Sequence, residues 1–133
     1  MKARIKISPV RAALFNISDE KVDTVRSIFT SCGIEVITPV TDSGNEKIGY
    51  LLNVPGYVKS RAASDSCTEK AELILFADLT EKTLDKALSL LRENNIEVRF
   101  KAVLTKYNRD FSYNELMEHL LAEEKQLEIR SKR

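Results

Sequence analysis

Only one histidine occurs in the 133 residues, His119, and it has Glu115 and Glu123 four positions to either side. On a helix that spacing puts an imidazole between two carboxylates on one face, the least from which a metal site could start. No second histidine exists to complete a facial triad, and no serine–histidine relay is signalled, so a solvated imidazole beside two acids is expected. Cys32 and Cys67 stand far apart in no CxxC or metal-type spacing and read as free thiols of a reducing, cytoplasmic compartment. Gly33, Gly44, Gly49 and Gly56 form neither a GxGxxG fingerprint nor a phosphate loop, so no cofactor is implied.

Three other groupings could bind rather than react. Arg99, Lys101, Lys106 and Arg109 alternate with Phe100, Tyr107 and Phe111, a mixture able to pair phosphates and stack bases. A strand with charges on its solvated face, followed by a turn, produces the same pattern. With 21 Lys and Arg against 20 Asp and Glu the net charge is only +1, and binding to nucleic acid is not expected. Asn16 and Asp78 close two equivalent apolar runs; such residues end strands, with a paired polar site as the functional alternative. The strongest binding candidate is the apolar, turn-punctuated stretch from Gly49 to Tyr57. Tyr50 and Tyr57 combine apolar area with hydroxyl groups there, as pocket and interface residues do. Thr105 and Asn108 are candidates for the paired Asn16–Asp78 site, if the fold brings them near it.

The elements that must position these residues emerge when the sequence is slid against itself by 62. Ser18 falls on Thr80, Asp23 on Asp85, Ser27 on Ser89, and Ile34-Glu35-Val36 on Ile96-Glu97-Val98. Each copy opens with a short apolar run, Ala12 to Ile17 or Leu73 to Ala77, of strand length. A hydroxyl and an acid follow, Ser18-Asp19 or Thr80-Glu81, which suit the first turn of a helix. Helical apolar spacing comes next, Val22, Val25, Phe29 and Cys32 against Leu84, Ala87, Leu88 and Leu91. Gly33 and Asn94-Asn95 supply stops, and second strands are expected from Ile34 and from Ile96. A last helix starts at the capping box Ser112 to Glu115, with Leu116, Met117, Leu120, Leu121 and Leu127 as its stripe.

These patterns describe one α+β domain over 1–133. Repeat one spans about 12–39, an intervening segment about 40–70, repeat two about 73–104 and the C-terminal helix about 112–130. Two β-α-β units in tandem suggest a ferredoxin-like layer of four antiparallel strands with two helices on one face. Unbroken apolar strands require cover on the other face too, from the last helix, the Tyr50–Tyr57 segment or a second subunit. A small three-layer parallel sheet is the alternative. The polar second part of the intervening segment, Lys59 to Lys70, reads as mobile.

The stretch Lys101-Ala102-Val103-Leu104-Thr105, with Asn108, Phe111, Ser112 and Leu116, resembles the C-terminal signature of a bacterial family known only as domain of unknown function 3783. Gly49-Tyr50-Leu51 and Pro55-Gly56-Tyr57 are similar to its middle segment, and Leu14-Phe15-Asn16 to its opening strand. The chain departs from the family at Lys106, where proline is expected, and at Phe111, where tryptophan is commoner. The resemblance implies a cytoplasmic protein and carries over no catalytic residue.

The expected function is a non-enzymatic binding or protein-interaction module, with a homodimer among the partners the last helix allows. The alternative is a small-molecule enzyme or sensor with its site under residues 49–57, and weak phosphate or nucleic-acid binding ranks third. No apolar run approaches the ~18 residues of a membrane span, and Met1 to Ile7 lack the apolar core of a secretory signal.

Overall fold

The computed structural model describes residues 10–39, 44–60 and 70–131. Met1 to Ile7, Cys67 and most of the polar stretch from Lys59 to Lys70 lie outside them. The chain divides into two compact units, each assembled from two separate stretches: 1–38 with 72–103, and 39–71 with 104–133.

The first unit holds two β-α-β elements. Strand β1 (Arg11–Phe15), helix α1 (Asp19–Ser31) and strand β2 (Glu35–Ile37) make one; β3 (Leu73–Ala77), α3 (Glu81–Glu93) and β4 (Phe100–Val103) make the other. In β1 and β3 every residue is buried, as expected of apolar runs without alternation. Period two assigns Ala12, Leu14, Ile74 and Phe76 to one face, where they pack with Val25, Ile28 and Phe29 of α1 and Ala87 and Leu91 of α3. Phe29 meets Phe76 edge to face at 5.5 Å between ring centroids.

The sheet order is β2-β1-β3-β4. Only the central pair, β1 with β3, is antiparallel; β1 with β2 and β3 with β4 run parallel. The sheet is therefore mixed, and neither the all-antiparallel ferredoxin-like layer nor an all-parallel sheet describes it. The reason lies in the connections. Each helix returns the chain beside the strand it left, in the same direction, as a helical crossover permits.

From β1 to the end of α1, every boundary recurs 62 residues later in β3 and α3. The backbone specials do the same. Asn16 and Asp78, just past the two strands, have φ of 58° and 63°; Gly33 and Asn95, just past the two helices, have 76° and 56°. Both helices close alike, with Ile34 N–H on Phe29 O and Ile96 N–H on Leu91 O, each 2.9 Å, which is the 6→1 bond of a left-handed helix stop. The central pairing sets Ala13 against Leu75, two positions that are themselves 62 apart. The correspondence then breaks: β2 starts at Glu35, whereas β4 starts at Phe100, three residues later than the offset would place it. Ile96, expected to open that strand, instead precedes it.

The helix starts also differ. Thr80 caps α3, its hydroxyl accepting from Thr83 N–H at 3.2 Å. Ser18 has the backbone of a cap but its side chain makes no such bond. Its own N–H donates to the Glu72 carboxylate at 3.0 Å, and Lys21 Nζ donates to the other oxygen at 2.7 Å and to Glu97 O at 2.7 Å.

The second unit contains α2 (Ile48–Leu51), a 3-10 turn (Asn108–Asp110) and α4 (Tyr113–Ser131). Residues 44–48 run beside 111–114: Ile48 N–H donates to Phe111 O, Tyr113 N–H to Glu46 O and Asn114 N–H to Gly44 O, at 2.9 to 3.1 Å. Gly44 is needed for this approach, because a Cβ there would collide with the Asn114 side chain. The capping box forms, with Ser112 N–H on Glu115 Oε1 at 3.1 Å and Glu115 N–H on Ser112 Oγ at 3.2 Å. Tyr113, Leu116, Met117 and Leu120 are buried, but Leu127 is 63% exposed. The stripe of α4 is thus shorter than its spacing suggests, because leucine periodicity records a face and not how far cover extends along it.

Candidate functional site

Of the four sequence-derived candidates, Tyr57, Thr105 and Asn108 converge on residues 105–111 of the second unit. Thr105 and Asn108 hold each other. Thr105 N–H donates to Asn108 Oδ1 at 2.8 Å, while Asn108 N–H and Tyr107 N–H donate to Thr105 Oγ1 at 3.1 and 3.2 Å. This is reciprocal capping of a short turn, the use of small polar side chains that favours them at such places. It sets the direction of the 3-10 turn and carries Asp110 towards Tyr57.

Tyr57 arrives from the other stretch of chain. Val54 N–H donates to Gly49 O at 2.8 Å and Tyr57 N–H to Val54 O at 3.3 Å, which folds 54–57 back on α2. The ring then covers Gly49: a Cβ there would lie 2.7 Å from ring carbons. The hydroxyl donates to Asp110 Oδ1 in a short hydrogen bond. Lys47 Nζ reaches Asp110 O at 3.4 Å, at the same junction. Tyr50, half-buried, is carried by α2 itself.

The electrostatics follow from that bond. The Asp110 carboxylate accepts the phenol proton's hydrogen bond and raises the Tyr57 pKa above its ordinary 10, with loss of solvation and the carboxylate's charge adding and Arg109 opposing. Such a phenol stays protonated and serves as a donor. It is not an activated nucleophile or base, which would need a lowered value. Glu72 in the first unit is displaced as well. Burial works to raise it, but the Lys21 ammonium and the Ser18 N–H outweigh burial and hold the carboxyl below its usual range.

The remaining sequence candidates resolve individually. His119 is exposed, and its ring stacks on Phe111 with centroids 4.7 Å apart and planes 9° from parallel. Among the described residues, no group of three or more His, Cys, Asp or Glu side chains could hold a metal ion. Asn16 and Asp78 do not pair. Antiparallel β1 and β3 put Phe15 against Leu73 and Arg11 against Ala77, so the two residues lie at opposite ends of the strands. Asp78 instead accepts from Arg11 Nη1 at 2.6 Å. Arg11 is 2% exposed, a buried cation that an apolar-run reading of β1 passes over. Only its position directly ahead of that run hinted at it.

The basic-aromatic series divides between the units. Phe100 is buried and Arg99 lies over its ring at 5.0 Å in the first; Tyr107 is exposed with Lys106 Nζ 5.3 Å above its ring in the second. No helix among the described residues is long and apolar enough to cross a membrane.

Among the described residues, this geometry defines a mixed α/β arrangement with a four-stranded sheet and four helices. Residues 72–127, from the lead into β3 to the exposed Leu127 of α4, match the family described as Domain of unknown function (DUF3783), in line with the resemblance read from residues 101–116. No curated protein and no solved structure matches the chain.

Proposed function

We propose that this chain is a non-enzymatic protein-interaction module of the cytoplasm, built on two copies of one β-α-β element and engaging its partner through the second unit. One observation carries the reading. Val58 and Tyr107 stand 80% and 71% exposed on the two segments that the Tyr57–Asp110 hydrogen bond ties together. Large apolar side chains held in water by a braced loop pair are what a docking surface requires. The reactive-looking side chains nearby support it from the other direction: Tyr57, Asp110, Thr105 and Asn108 are all engaged in bracing. The equivalence of β1-α1 with β3-α3, boundary by boundary, supports duplication, and a homodimer is one form the partnership can take.

The test is photo-cross-linking in the source cell, with the reactive amino acid at position 107 and, as control, at the exposed Asp85 of α3. The reading predicts a discrete adduct from position 107, abolished by Val58→Ser. Adducts of equal yield from both positions, or none from 107, would remove it.

A further inference from the structure

The three residues that break the 62-residue correspondence, Glu97-Val98-Arg99, wall an open depression in the first unit of about 680 Å³. Four cations from four places in the chain line it: Lys21 of α1, Arg92 of α3, Arg99 of the stretch ahead of β4 and Lys101 of β4. Two carboxylates, Glu72 and Glu97, share the lining. In a chain whose formal net charge is +1, this is a local concentration of positive charge.

The charges are not equivalent. Lys21 is committed to Glu72 at 2.7 Å and to Glu97 O at 2.7 Å, so that ammonium and the Glu72 carboxylate neutralise each other. Arg99 is stacked against the Phe100 ring, which narrows its conformations before any ligand arrives. Arg92 donates to Ser89 Oγ at 3.2 Å, and Lys101 is exposed. Beyond the Lys21–Glu72 pair, the charged residues of the lining are Arg92, Arg99 and Lys101 with Glu97.

The C-terminal end of α3 forms part of the wall, and a bare helix C-terminus would repel an anion. Three of its last carbonyls are already engaged. Leu90 O accepts from Asn94 N–H at 3.1 Å and Asn94 Nδ2 at 2.8 Å, Leu91 O from Ile96 N–H, and Arg92 O from Asn95 N–H at 3.0 Å.

We infer that this depression binds a small phosphate-bearing ligand through Arg92, Arg99 and Lys101. Arginine forks suit phosphate oxygens in pairs, and a lysine adds a point charge that a single carboxylate does not cancel. The equivalent place in the first β-α-β element has no such wall, because β2 follows Gly33 after one further residue. The site is independent of the Val58–Tyr107 surface, since it uses residues of the other unit.

The experiment is an amide NMR titration of the full chain with inorganic phosphate and with pyrophosphate, at constant ionic strength against chloride. Saturable shifts confined to residues 92 and 97–101 are expected, tighter for pyrophosphate. Arg99→Gln with Lys101→Gln should weaken binding at least about tenfold, as loss of two charge-assisted contacts implies, while the melting curve stays in place. Lys106→Gln with Arg109→Gln should leave the titration unchanged. Shifts that rise linearly without saturating, or equal binding by the Arg99/Lys101 variant, overturn the site. Single-stranded oligonucleotide binding tighter than pyrophosphate with a steep salt dependence overturns the small-ligand assignment.

Discussion

At the scale of single residues, two displaced groups make opposite predictions for the ends of the pH range. Tyr57 is raised, so its folded form binds the phenol proton more tightly than the unfolded chain does. Its contribution is complete below pH 10 and is lost as pH rises through the folded value. Tyr57→Phe should flatten the alkaline limb of a stability–pH curve, and a direct spectroscopic titration should find Tyr57 above 10 and nearer 10 in Asp110→Asn. A Tyr57 value below 10 would revive a catalytic reading. Glu72 is lowered, so its contribution is complete above its ordinary 4.5 and fades as pH falls through the folded value. Glu72→Gln should therefore destabilise at neutral pH and blunt the acid limb, read by urea unfolding at a series of pH values. An acid limb identical to that of the native chain would show the Lys21–Glu72–Ser18 cluster to be slack.

At the scale of elements, burial along α4 separates its two halves. Met117 is fully buried, and Met117→Ala should cost about 2–5 kcal/mol. His119→Ala gives up an exposed ring stack and should cost under about 1.5 kcal/mol, and Leu127→Ala about 0.5 or less. Thermal unfolding of the three variants checks the order. Equal losses at 117 and 127 would mean that the distal half of the helix is packed after all. A second element-level test concerns the helix stops. Gly33 has φ of 76° with no atom near a would-be Cβ, so Gly33→Ala should cost about 1–2 kcal/mol from backbone strain alone, and Gly33→Asn less. Asn at the equivalent position, Asn95, makes the same point naturally.

These elements were legible in the sequence to the degree that local chemistry sets them. Apolar runs bounded by Asn16 and Asp78, stops at Gly33 and Asn95 and the Ser112–Glu115 box each act within a few residues, and each formed. Strand direction did not follow. It depends on where a helix returns the chain, and the residues of β1 and β3 read alike in either arrangement. The site was half legible. Tyr57, Thr105 and Asn108 were visible as polar groups in turn-rich stretches, but Asp110 as the acceptor for Tyr57 is a pairing across 53 residues that no local pattern carries. Glu46 was missed for the same reason: it is 4% exposed and its carboxylate accepts from Ser60 N–H at 2.7 Å.

At the scale of the whole molecule, the claim is that a braced apolar surface exists to hold another chain. Side chains that stand in water contribute little to the stability of the isolated protein, so removing Val58 and Tyr107 should change assembly and not folding. The decisive quantity is mass. The chain alone weighs 15.1 kDa. Protein isolated gently from its source and sized by light scattering should be heavier than this by at least one partner chain. Val58→Ser with Tyr107→Ser should run at the mass of the single chain while melting as the native protein does. A native chain that runs at 15.1 kDa without a partner, or a double variant that keeps the full mass of the complex, would contradict the account.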